Sequence, residues 1–404
     1  MWPRTLNGRL VSAEAARWVR DGGGCSGRRP FRHAPALADV FAGTTWLHGG
    51  MEQQDRAQRL RGETEAVWAT VVSFALGAGA GILLLGGDSR PLTGEGSLAL
   101  PVAAIAGIIA SAAFVLSTVR HRRGETAPMP RWQAVVSDLS AIALTVAIGA
   151  VTAMGVLLAT EILAAGLQGL ELAAIGGGLL AGVASAIGGR FAFGAGIGLR
   201  TADLSGLLAS YLVIGTLFAM VTAVDPRWWE VNFSQLGNGA GSWAFNGTLI
   251  VAGLLIATVG SYVGRDLHRM LGDDALGRIG AIVLLWAATG AALAAVGLLP
   301  LHRVPIPHNI AAFAALALFA AAAVCTTLRV PGPPRALVIT TIGVVILIAA
   351  ALVMWVPFGL YGLTALEAIV VGLGLVWMTT LVRVLAIIVP PASRPSLRRS
   401  LLPG

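Results

Sequence analysis

The chain has 404 residues, 56% of them hydrophobic and 12% charged, with a net charge of +8. Ordinary soluble domains carry about 25% charged residues, and any globule leaves much of its surface to water, so this composition excludes a soluble fold and points to lipid as the solvent. All 28 basic residues are arginine, which excludes a Schiff-base or P-loop lysine. The two cysteines, Cys25 and Cys325, supply neither a four-Cys metal centre nor a disulfide framework.

Residues 1–66 read as a cytoplasmic N-terminal segment. The first fifty are rich in Arg and Gly and hold no apolar run long enough for a signal peptide. "MEQQDRAQRLRGETEAVW", beginning at Met51, is a polar lead into a first helix. The expectation is that Met51 is the native start and that residues 1–50 are a disordered tail or not native.

A spanning helix needs about 20 mostly apolar residues. Ten runs qualify: 67–86, 98–118, 134–160, 171–189, 205–224, 245–263, 278–298, 308–328, 336–357 and 364–388. Turn signals separate them: Gly86-Gly87-Asp88, Pro128 with Pro130, Asp225-Pro226, Pro305 with Pro307, and Pro331-Gly332-Pro333-Pro334. Backbone polar groups in lipid must be bonded internally, so the runs are helices. The expected fold is all-α, a polytopic helical bundle. It comprises a four-helix membrane extension at 67–200, a six-helix membrane core at 205–388 and a cytoplasmic tail at 389–404.

Arginine placement tests the count. From residue 51 onward, alternate loops and their flanks hold 18 arginines, while the other set holds Arg90, Arg227 and Arg303 alone. Strict alternation of this kind is what ten spans and the positive-inside rule predict, with both termini cytoplasmic. It also explains the basic charge without nucleic acid. The absence of lysine fits a high-GC bacterial genome, and a bacterial plasma membrane is the expected location.

"IGGGLLAGVASAIGGRFAFGAGIG" around the fourth run pairs Gly178 with Gly182 and Gly194 with Gly198. Small residues at this spacing let helix backbones approach closely; a phosphate loop would need a preceding strand and a lysine.

Polar chemistry concentrates in two loops expected on the extracytoplasmic side. "DPRWWEVNFSQLG", 225–237, places Trp228, Trp229, Glu230, Asn232, Ser234 and Gln235 together, with Asn246 opening the next helix. Interfacial tryptophans anchor helices at the head-group level, and Asn246 suits a cap or an interhelical hydrogen bond. "LHRVPIPHNIAAF", 301–313, puts His308 and Asn309 in the first turn of a helix begun by Pro305 and Pro307. Free N–H groups there favour anions, with His302 and Arg303 adjacent. Two further carboxylates lie within runs. Asp138 shares a helical face with Thr145 and Thr152, and Glu367 sits at a depth that suits contact with His308 or Arg303. A carboxylate within a span costs about 2.5–3.5 kcal/mol and usually faces the bundle interior. No metal-ligand motif is present, and no cofactor is expected. Asp225, Glu230, His302 and His308 could meet across two loops, although their spacing does not specify a metal.

The stretches "NFSQLGNGAGSWAFNGTLIVAGLL" and "GLLPLHRVPIPHNIAAFAAL" resemble the bacterial membrane-protein family called domain of unknown function 998, which is similar to the Frag/DRAM/Sfk group. The likeness rests on Ser234 with Leu236-Gly237, on Asn246 and on His308, and spans roughly residues 205–388. Gln235 stands where the family tends to an acidic residue. The resemblance implies a helical bundle with an outward-facing polar site and no established reaction. Eukaryotic relatives of the wider group are linked to lipid remodelling and membrane organisation, and uncharacterised actinobacterial membrane proteins look similar over the whole length.

The leading expectation is therefore a membrane protein holding an anionic lipid head group in an outer pocket of Ser234, Asn246, Arg303 and His308. Membrane lipids are its expected partners, with a second membrane protein or a homo-oligomer open. A proton-coupled secondary transporter using Asp138 or Glu367 is one alternative; a structural or assembly subunit is the other.

Overall fold

The computed structural model describes residues 37–87, 89–122, 131–239 and 241–389. Cys25, Asp88, Pro128, Pro130 and the arginines after residue 389 lie outside them. Two compact units divide the chain, residues 1–59 and 60–404. In the first, residues 37–59 are helical; all the candidate membrane spans lie in the second.

Among the described residues ten α-helices follow one another: α1 (Leu37–Leu84), α2 (Ala99–Arg122), α3 (Arg131–Gly166), α4 (Ala174–Gly198), α5 (Thr201–Val221), α6 (Ser242–Leu271), α7 (Leu276–Leu298), α8 (Pro305–Arg329), α9 (Arg335–Trp355) and α10 (Leu363–Ile388). Each contains a stretch long and apolar enough to cross a membrane. Two-residue strands β1 (Arg90–Pro91) and β2 (Glu171–Leu172) pair antiparallel and tie together the loops that follow α1 and α3.

Several boundaries differ from the sequence reading, those of α1 and α4 by the most. α1 begins at Leu37 and carries helix through the polar lead, which is rich in Glu, Gln, Ala, Leu and Arg and contains no proline. α4 continues to Gly198, past the Gly188-Gly189-Arg190 triplet, so that Leu199 and Arg200 alone separate it from α5.

Packing follows small residues. α6 is the most buried of the ten spans and lies closely against α7. At the crossing Gly253 faces Gly290, and a methyl group on either would collide with the other's carbonyl oxygen. Gly260 and Gly264 continue the seam against Trp286 and Val283. The turn closing this pair needs Gly272 at φ 73°, and His268 Nε2 meets Asp273 Oδ1 across it at 2.7 Å. Gly178 and Gly182 accept α1 at Ile82, Ala78 and Phe74, the close approach expected of them. Gly194 and Gly198 do not: a side chain at either would meet open space, so that pair is no packing motif.

One hydrophobic core runs through both halves of the second unit, from Ala103, Phe114 and Leu144 to Trp286 and Trp377. α3 packs on α5 and α6, joining the first four spans to the last six. Trp286 and Trp377 stack with ring centroids 6.0 Å apart, and Phe319 meets both edge-on. Their indole N–H groups donate to Thr326 at 3.1 Å and Thr341 at 2.8 Å, which satisfies both donors inside the bundle.

Candidate functional site

The loop between α5 and α6 folds back over the helix ends in two 3-10 turns, Trp228–Glu230 and Phe233–Gly237. Its attachments are specific. Ser234 Oγ lies 2.9 Å from His308 Nε2, on the first turn of α8. His308 Nδ1 lies 2.7 Å from the carbonyl oxygen of Leu299. A carbonyl only accepts, so Nδ1 carries a hydrogen. In the neutral ring Nε2 then accepts the Ser234 hydroxyl proton. The imidazole is 3% exposed, and both ring nitrogens are satisfied, as burial requires.

The neighbouring residues complete a contiguous cluster. Leu236 is buried beneath the turn. Asn246 Nδ2 donates to the Gly237 carbonyl oxygen at 3.3 Å. A Cβ at Gly237 would sit 2.6 Å from Asn246 Oδ1, which explains the glycine. Ser234, Leu236, Gly237, Asn246 and His308 therefore meet in space although they span three segments of sequence. Asn246 acts through an interelement hydrogen bond and does not cap its helix.

Around this cluster Gln235 Oε1 accepts from Asn238 Nδ2 at 2.7 Å, and His302 Nδ1 donates to Asn238 Oδ1 at 2.9 Å. Trp228 is half-buried with its ring 5.2 Å from Phe233; Trp229, Glu230, Arg303 and Asn309 are exposed. The Arg303 side chain makes no hydrogen bond or ion pair among the described residues. The cluster is filled by its own side chains. A niche beside it, lined by Thr222, Asp225, Gln235 and Asn238, holds about 10 Å³, room for one water.

Glu367 does not reach His308 or Arg303. Its Oε2 accepts the backbone N–H of Phe233 at 2.7 Å, while Thr364 donates to the Trp229 carbonyl at 2.8 Å. The start of α10 thus holds the same loop from another side. Tyr361 donates to Ala351 at 2.5 Å and closes the turn between α9 and α10. Asn232 Oδ1 is buried with no hydrogen-bond partner among the described residues. Asp138 is exposed near the start of α3, while Thr145 and Thr152 bond to carbonyls of their own helix, so that face assembles no polar site. No group of three His, Cys, Asp or Glu side chains able to hold a metal occurs among the described residues.

Glu367, Thr364 and Asn238 were not legible as members of one assembly, because each acts through a backbone group or an amide that carries no motif. The signal available for Glu367 was its depth in the span.

Ten apolar helices and a polar cluster confined to one end define a multi-pass integral membrane protein. Residues 204–384, from α5 into α10, match the family described as Protein of unknown function (DUF998). No curated protein and no solved structure matches the chain.

Proposed function

We propose that this protein handles membrane lipid and that its polar end holds an anionic head group on the extracytoplasmic side of a bacterial plasma membrane. The observation that carries this reading is the pairing of half-buried Ser234 with buried His308, which ties a polar loop to the first turn of α8. The dipole of that helix favours an anion at its N-terminal end; Pro305 and Pro307 carry no N–H and the His308 N–H bonds to the Val304 carbonyl, so the exposed Arg303 beside it supplies the main attraction. Because the cluster is filled internally, the head group rests over it, with Arg303 and Asn309 as contacts and Ser234, Asn246 and His308 as the floor. The 18-to-3 division of arginines supports the orientation. A proton-coupled transporter draws less support, since Asp138 is exposed and Glu367 is engaged by the loop.

The test is phospholipid retained through purification by the wild type and by an Arg303→Ala, Asn309→Ala variant, both substitutions being on exposed side chains. Anionic lipid should fall selectively in the variant; equal retention would remove the proposal.

A further inference from the structure

At the opposite end of the second unit lies a cavity of about 480 Å³, within the range of small-molecule sites, between α2 and α4 on one side and α5, α6 and α10 on the other. Its lining includes Arg200, Arg265 and Arg269 against one carboxylate, Asp266. The charges are not equivalent. Arg200 lies 3.6 Å from Asp203, and Arg269 lies 3.7 Å from Asp266. Asp266 also accepts the Thr201 hydroxyl at 2.5 Å. Arg265 makes no ion pair within 4 Å among the described residues, although its charge acts on the neighbouring Asp266; its guanidinium carbon lies over Tyr262, 3.7 Å from the ring centroid. A cation–π contact of this kind helps hold the guanidinium in place, and its N–H groups suit a planar or tetrahedral oxyanion. On the α2 wall, Thr118 Oγ1 is buried with no hydrogen-bond partner among the described residues. A buried hydroxyl without a partner is costly, so it marks a place where a ligand oxygen would accept its hydrogen bond.

We propose that this cavity is a second binding site, for a phosphate ester, with Arg265 as the principal cation and Thr118 as a hydroxyl donor. It is independent of the reading of the polar end. Two sources share this chemistry: the head group of a phospholipid in the adjacent leaflet, and a soluble phosphate ester. Since α2 and α4 form one wall, the matched domain alone does not complete the site.

The experiment uses the full chain carrying Arg303→Ala and Asn309→Ala, which removes the proposed contacts at the other end. One arm counts phosphatidylglycerol bound in phosphatidylcholine nanodiscs by native mass spectrometry. The other measures the thermal shift given by glycerol 3-phosphate in nanodiscs of phosphatidylcholine alone. Binding in the first arm identifies a lipid source, and in the second a soluble one. In whichever arm responds, Arg265→Gln should weaken binding about tenfold, the loss of one charge-assisted hydrogen bond. Gly198→Phe should do the same without altering charge, because a side chain there enters open space in the cavity. Thr118→Val, nearly isosteric, should reduce binding several-fold and decides the matter if Gly198→Phe fails to fold. No binding in either arm, or binding unchanged by Arg265→Gln and Thr118→Val, would overturn the proposal. A loss in Arg265→Gln with a folded Gly198→Phe unaffected would assign the effect to surface charge and would overturn it equally.

Discussion

Ser234 and His308, 74 positions apart, meet at 2.9 Å and so join the loop after α5 to the first turn of α8. The hydroxyl can donate because Leu299 holds the other ring nitrogen. Replacing Ser234 by alanine leaves Nε2 buried without a partner, at a cost of about 1–3 kcal/mol. Thermal unfolding in detergent should show Ser234→Ala less stable than wild type. In a double-mutant cycle Ser234→Ala should add little to His308→Ala, because the two share one interaction. Full additivity would mean that the pair is not coupled.

Glu367 supplies an acceptor for one backbone N–H, that of Phe233. Glutamine retains an acceptor there and alanine does not. Glu367→Gln should therefore unfold close to the wild type, while Glu367→Ala loses about 1–3 kcal/mol. Proteolysis within 225–238 should accelerate in the alanine variant alone.

The α6–α7 crossing makes a steric prediction. Gly290→Val forces a branched side chain against the Gly253 carbonyl and should destabilise by about 1–3 kcal/mol, the usual cost of overpacking. Gly280→Ala on the same helix faces open space; it should be neutral or stabilising by up to about 1 kcal/mol. Thermal melts of the two variants side by side check the contrast.

The two indoles give a polar counterpart. Thr326→Val and Thr341→Val each remove the acceptor of a buried Trp N–H while keeping volume. Each should cost about 1–3 kcal/mol, and Trp fluorescence should report the disturbed stack before global unfolding.

The number, order and approximate limits of the spans were legible because lipid imposes length and apolarity on every crossing. The polar residues of the cluster were also legible, since Ser234, Asn246 and His308 stand out in an apolar chain. Their mutual contacts were not. In a membrane the outside of a helix is as apolar as its inside, so hydrophobicity does not say which face packs. Ile306 and Phe313 are each 72% exposed, while Trp286 and Trp377 are fully buried. Glycine spacing could have marked the α6–α7 seam, where Gly253 faces Gly290, Gly260 and Gly264 face Trp286 and Val283, and Gly297 faces the Asn246 carbonyl. The same rule misled at Gly194 and Gly198, where an added side chain would meet open space. Arg265 and Arg269, four apart on one helical face, were read as topology signals, and the cavity they line was not apparent.

In the proposed topology the loop after α5 and the turn before α8 emerge together, on the side opposite the α4–α5 junction. The direct measurement is labelling by a membrane-impermeant maleimide in intact cells, with Cys25 and Cys325 replaced by serine and single cysteines placed at Trp229, Arg303 and Arg200, all exposed positions. Positions 229 and 303 should label from outside, and position 200 only after lysis. Labelling of 229 and 303 from opposite sides, or of 200 together with 303, would contradict this topology.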